Sequence, residues 1–129
     1  MSDKIKILVV EDEMPVAMMM VFLLHRAGCE VETATNAEQA VRLVQATDFD
    51  LITLDIDLPG GNGFEIFARL KKHPRWQNTP VVFVSGRSYE EDQQRARELG
   101  AVDYILKPFE VDDFVSRILG HANRKEEFA

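Results

Sequence analysis

The chain has 129 residues, 46% of them hydrophobic, with 15 Lys plus Arg against 22 Asp plus Glu and a formal net charge of −7. That length suits one ordinary domain with a real core and leaves little room for a second. A negative chain with no basic block is a poor ligand for nucleic acid or an anionic membrane, and a single cysteine, Cys29, cannot close an internal disulfide, so a reducing, cytoplasmic setting is expected.

The first apolar run, Ile5–Val10, reads as a strand that ends in Glu11 and Asp12; it is too short to be the core of a signal peptide. The longest apolar stretch, Met14 to Leu24, falls far short of a membrane span, and Pro15 marks the start of a helix, expected over Val16–Ala27. If Val16, Met19, Leu23 and Ala27 face a sheet, the outer side of that helix shows Met18, Val21, Phe22 and His25, apolar where a surface helix should be polar. Such a face usually marks a partner, and methionines suit an adaptable contact.

A second strand is expected at Val31–Ala34, followed by Asn36 and Gln39 at capping-box spacing and a helix over Ala37–Ala46. The third strand, Leu51–Leu54, runs into Asp55, Asp57 and Pro59-Gly60-Gly61; Asn62 and Glu65 then open a helix over Phe64–Lys72. The fourth strand, Val81–Val84, ends in Ser85-Gly86 and precedes a helix over Glu90–Leu99. Gly100 stops that helix as Gly28 stops the first. The fifth, Val102–Leu106, ends in Lys107-Pro108. The last helix is expected over Val111–Ala122, with 123–129 a frayed helix end or the beginning of a linker. Five strands, each followed by a helix, predict an α/β fold: one doubly wound, five-stranded parallel sheet with helices on both faces, a single domain over residues 1–129 with its core at about 4–122.

Ligands of such sheets bind at the carboxyl ends of the strands. If the first and third strands are neighbours, Glu11, Asp12 and Asp55 converge there. Crowded carboxylates raise one another's pKa, and a divalent cation reverses that by favouring the charged form. Oxygen ligands with no His or Cys beside them point to Mg²⁺, which completes its shell with water and phosphate oxygens. Lys107 adds a second positive charge, Ser85 a hydrogen-bond donor, and Gly86 room for an anion. A carboxylate nucleophile between two cations suits phosphoryl transfer to aspartate. Each piece has a plainer reading: Glu11 and Asp12 could cap the first helix, Asp57 with the Pro-Gly-Gly could be only a turn, and Ser-Gly and Lys-Pro could simply end strands. Turn chemistry does not, however, predict a lysine opposite the acids.

The segments "ILVVEDE", "DLITLDIDLPGGNGFE", "TPVVFVSGRS" and "GAVDYILKPF" resemble the receiver domains of two-component response regulators, over about Lys4 to Ala122. The resemblance implies a sheet order of 2-1-3-4-5 and makes Asp55 the phospho-acceptor. It implies Mg²⁺ held by Asp12, Glu11, Asp55 and the backbone carbonyl of Asp57, with Lys107 binding the phosphoryl group. Ser85 and Tyr104 would be the switch pair, Asp57 and Arg87 would tune phosphoryl lifetime, and the Lys107–Pro108 bond would be cis. A histidine kinase or histidine phosphotransfer protein would be the donor. The fourth helix, fifth strand and fifth helix would form the face that controls a partner or output domain. Glu11-Asp12 stands where many relatives carry two aspartates. The outer face of the first helix (Met18, Val21, Phe22) is expected to dock the donor or a second copy. Arg95, Asp103 and Arg117 could pair across a dimer or form a solvated face, while His25, His73 and His121 lack partners at ligand spacing. The domain assists its own phosphorylation and is not expected to be a turnover enzyme. Two alternatives stand beside this: a haloacid dehalogenase-type phosphatase built on Asp55-x-Asp57, which would carry that motif on its first strand, and a receiver-like binding module that accepts no phosphate.

Overall fold

The computed structural model describes residues 4–127, the side chains of 123–127 excepted. Its elements are β1 (Lys6–Val10), α1 (Met14–Arg26), β2 (Glu30–Ala34), α2 (Ala37–Ala46), β3 (Leu51–Leu54), α3 (Gly63–Lys72), β4 (Val81–Ser85), α4 (Glu90–Leu99), β5 (Asp103–Leu106) and α5 (Val111–Glu127). All strand pairs are parallel and the sheet order is β2-β1-β3-β4-β5. This is the expected doubly wound sheet. The last helix continues through Glu127, so the segment after Ala122 begins as helix.

Alternation along the strands makes two cores. Leu8, Val10, Ile52, Leu54, Val81 and Phe83 pack on the α2, α3 and α4 side; Ile7, Val9, Leu51, Val82 and Val84 pack on the α1 and α5 side. The three inner strands are buried on both faces, which is why they read as continuous apolar runs. Phe67, Phe83 and Phe114 are fully enclosed, each contributing about 1.5–3 kcal/mol by burial. Cys29 is buried in the α1–α5 core, and that burial pushes its thiol pKa up. The caps form as the spacing predicts: Asn36 Oδ1 accepts from the Gln39 amide at 2.8 Å and Asn62 Oδ1 from the Glu65 amide at 3.0 Å. The Gln39 side chain reaches back to the Thr35 amide at 2.9 Å.

The phase of α1 differs from expectation. The helix starts at Met14, with Pro15 in its first turn, and it buries Ala17, Met20 and Leu24; Met19 and Ala27 are exposed. The register is one residue off because "MPVAMMMVFLL" is apolar on every side, so periodicity carries no phase. Met18 and Phe22 do face outward, at 65% and 60% exposure, whereas Val21 is half-buried. No described helix is long and apolar enough to cross a membrane.

Candidate functional site

The ladder register builds the site. Val10 lies opposite Leu54 in the β1–β3 pair, so the residues that follow, Glu11 and Asp55, emerge at the same level. The Glu11 amide bonds the Ala34 carbonyl at 2.9 Å and the Asp55 amide the Val10 carbonyl at 3.2 Å, extending the ladder past the last strand residues. Ser85 pairs with Leu106 in β4–β5, and the Lys107 amide donates to the Ser85 carbonyl at 2.9 Å. Strand ends thus deliver two acids and a lysine to one place, as the sequence predicts.

Lys107 Nζ donates to Asp55 Oδ2 and to Glu11 Oε1, both at 2.8 Å, and stands 3.4 Å from Glu13 Oε1. Glu11 is 1% exposed and Asp55 5%. Burial raises the Glu11 pKa above its ordinary value, and the Lys107 bond offsets only part of that. For Lys107, burial alone would lower the pKa; hydrogen bonds to Asp55 and Glu11 outweigh it and raise the pKa, so the ammonium stays charged. Buried ion pairs of this kind add little net stability, because desolvation cancels most of the attraction. Their presence at the end of the core is a functional signal.

Glu11, Asp12 and Asp55 each offer a carboxylate oxygen within 4.8 Å of the others, a group that could hold a metal ion. Asp12 is exposed while the other two are buried, so the cluster has a closed floor and an open side. The plainer reading of these acids as helix caps is only partly met: Glu13, not Asp12, occupies the N-cap position and makes no side-chain cap bond, though Glu11 Oε2 accepts from the Glu13 amide at 3.1 Å.

A second layer surrounds the acids. The Asp57 amide donates to Asp55 Oδ1 at 3.3 Å, while the Asp57 carboxylate takes a two-pronged bond from Arg87, with Nε at 3.0 Å and Nη2 at 2.6 Å. The Arg87 hydrogen bond holds the Asp57 carboxyl below its ordinary pKa. Arg87 is tied down at its backbone too: its amide donates to Ser85 Oγ at 3.1 Å, and its carbonyl accepts from the Tyr104 hydroxyl at 2.7 Å. Ser85 is fully buried, whereas a Cβ added at the next residue, Gly86, would meet nothing within 4 Å. The Lys107–Pro108 peptide is cis.

Two further residues, with no signal in the sequence, shape this site. Glu13 is a third acid near Lys107. Gly63, the first residue of α3, sits so close under Asp55 that a Cβ there would collide with the Asp55 backbone carbonyl. No local motif signals this, since the contact joins two elements. The charges on β5 and α5 meet one another within the chain. Asp103 pairs within the chain, with Arg117 Nε at 2.9 Å and His121 Nε2 at 2.9 Å. Arg117 lies 14 and His121 18 positions from Asp103, beyond any local ligand spacing.

The α1 surface forms one wall of a groove of about 690 Å³, in which Met14, Met18, Val21 and Phe22 face Val31 of the edge strand β2 and Leu43 of α2. Met14 lies next to Glu13, so this apolar face begins beside the acids.

The family model for the response regulator receiver domain matches residues 7–119. Among curated proteins, the phosphate regulon transcriptional regulatory protein PhoB of Escherichia coli K12 is 42% identical over 113 residues, 88% of this chain and 49% of its own length. The transcriptional regulatory protein TcrA of Mycobacterium tuberculosis H37Rv is 36% identical over 120 residues, 93% of this chain and 47% of its own. Among solved structures, a CheY-like receiver domain protein from Methanospirillum hungatei JF-1 superposes with a TM-score of 0.91 at 25% identity, covering 98% of this chain and 100% of that one. The chain belongs to the family of response regulator receiver domains of two-component systems. It is a signalling domain rather than a substrate-turnover enzyme, and it spans about half the length of the curated relatives it matches.

Proposed function

We propose that the 129-residue chain is one receiver unit that works as a phosphorylation-driven switch, with Asp55 the phospho-acceptor. The observation that carries this reading is the convergence on Asp55: one carboxylate oxygen bonded to Lys107 at 2.8 Å, with Glu11 and Asp12 close enough to share a cation. Asp12, Glu11, Asp55 and the Asp57 carbonyl would hold Mg²⁺, which would neutralise the incoming phosphoryl oxygens. The chain's own parts then have defined tasks. Asp55 attacks phosphorus through a carboxylate oxygen and becomes an acyl phosphate as the donor's P–N or P–O bond breaks. Lys107 gives up its bond to Asp55 Oδ2 to bind a phosphoryl oxygen. Ser85 turns its hydroxyl to a second oxygen, and its tie to the Arg87 amide transmits that movement to the β4–α4 loop and Tyr104. The readout is a changed α4–β5–α5 face. Asp57 and Arg87 tune how long the acyl phosphate survives.

The donor is a histidine kinase or histidine phosphotransfer protein, docked on the apolar face of α1 that begins beside the acids. The downstream partner, a protein target or a second copy, reads α4–β5–α5. The test is mass spectrometry after incubation with Mg²⁺ and acetyl phosphate. One phosphoryl group, stable in acid and labile in base, is expected on the wild type. Asp55→Asn and Mg²⁺ chelation should each abolish it; undiminished incorporation into Asp55→Asn would overturn the assignment.

A further inference from the structure

The end of the molecule opposite the acids carries a feature that phosphorylation does not use. β3 carries the chain up to Asp55 and α3 brings it back, so the last turn of α3 lies at the far edge of the sheet. Arg69, Lys71, Lys72 and Arg75, four of the chain's 15 lysines and arginines, fall there within seven residues, with His73 between them. This is a basic block in an acidic chain, against the expectation from the sequence that the chain holds none.

The block borders a groove of about 440 Å³ between α2 and α3. Buried Val44 and Leu70 make its floor, half-buried Trp76 a wall, and exposed Arg69, Lys72 and Arg75 its rim. Two of the block's cations are committed. Arg75 spans the groove, with Nε on Asp48 Oδ1 at 3.0 Å and Nη1 on the Gln45 carbonyl at 3.2 Å, and Lys71 Nζ is on the Gln77 carbonyl at 2.8 Å. The side chains of Arg69 and Lys72 have no hydrogen bond or ion pair among the described residues. The Trp76 indole N–H is buried there and also unpaired. Cations in a last helical turn complement the carbonyl end of the helix, which accounts for Arg69 and Lys72 being basic. It does not account for Arg75, past the helix end, bracing the groove, or for the buried Trp76 indole N–H left without a partner.

We propose that this groove docks a short acidic and apolar segment of a partner protein, in either phosphorylation state. An apolar side chain rests on half-buried Val41 and Trp76, and flanking carboxylates pair with Arg69 and Lys72. The charge balance selects this occupant. A long polyanion such as nucleic acid meets the field of a chain of net charge −7, whereas a short segment lies within the screening length of about 8 Å and meets mainly the local cations. A nucleotide base lacks a free platform, because His73 already stacks on Trp76 at 4.0 Å.

Trp76 is the chain's single tryptophan, so its emission reports on this groove alone. The experiment titrates the full chain with a short aromatic-free peptide of glutamate and leucine, a lysine–leucine peptide, and ATP. A saturable shift with the acidic peptide is expected, weakened by salt and indifferent to acetyl phosphate. Arg69→Gln with Lys72→Gln should weaken binding about tenfold while circular dichroism and Asp55 phosphorylation stay unchanged. No saturable shift at low salt, equal binding by the double variant, an equal response to the lysine peptide, or preference for ATP would each overturn the proposal.

Discussion

Lys107 shows how one side chain holds the acid site together before any cation arrives. It bridges two nearly inaccessible carboxylates that would otherwise repel each other. Gly63 contributes by having no side chain. Gly63→Ala would push its Cβ into the Asp55 carbonyl, so the loop must shift. A stability loss of about 1–3 kcal/mol is expected in urea denaturation, with slower phosphorylation of Asp55; a variant as stable and as fast as wild type would show that the loop yields freely. Arg87 is bonded at its guanidinium, amide and carbonyl to three separate parts of the site. Arg87→Ala leaves the Asp57 carboxylate uncompensated beside Asp55. Phosphorylation by anionic acetyl phosphate should slow roughly two- to fivefold, the small effect typical of a solvated pair. Adding Asp57→Asn should restore the rate, and failure of that rescue would show that Arg87 acts by another route.

Between elements, the informative contrast is α1 against α2 and α3. The latter two are clearly amphipathic, and their boundaries and caps are legible from sequence within a residue. In α1 almost every residue is apolar, so which stripe meets the sheet is settled by the position of Pro15 and by packing on β1 and β2. The β5–α5 pairing was illegible for a different reason: Asp103 meets Arg117 and His121 only once the last helix folds back on the sheet. Burial pulls the Asp103 pKa upward, but hydrogen bonds from Arg117, His121 and the Tyr104 amide outweigh it and hold the pKa below its ordinary value. A carboxyl lowered on folding stabilises the fold above its unfolded pKa of about 4, and that contribution disappears as pH falls through the folded value. Asp103→Asn should therefore cost about 1–3 kcal/mol at neutral pH. Its deficit should shrink as the pH drops below about 4; urea midpoints measured across that range would show it, and a pH-independent deficit would mean that lost packing, not charge, is responsible.

Taken entire, the molecule places two different surfaces around one acid site. The apolar face of α1 starts at its edge, and α4–β5–α5 connects to it through Tyr104. Because Val21 is half-buried, Met18→Glu with Phe22→Glu is the cleaner test of docking. This variant should take phosphate at least tenfold more slowly from its cognate phosphohistidine protein, at an unchanged rate from acetyl phosphate; equal loss with both donors would point to damage at the acid site. Element types and order, the caps at Asn36 and Asn62, and the acids, serine and lysine at strand ends were all readable in the chain, because burial of fully enclosed strands and capping are local in sequence. The strand order came from family resemblance, since periodicity says which residues pair with a sheet but not which strands are neighbours. The phase of α1, the clearance at Gly63, the Arg87 junction and the Asp103 pairing required the folded molecule: each depends on distances between segments far apart in the chain, which no local pattern of residue types encodes.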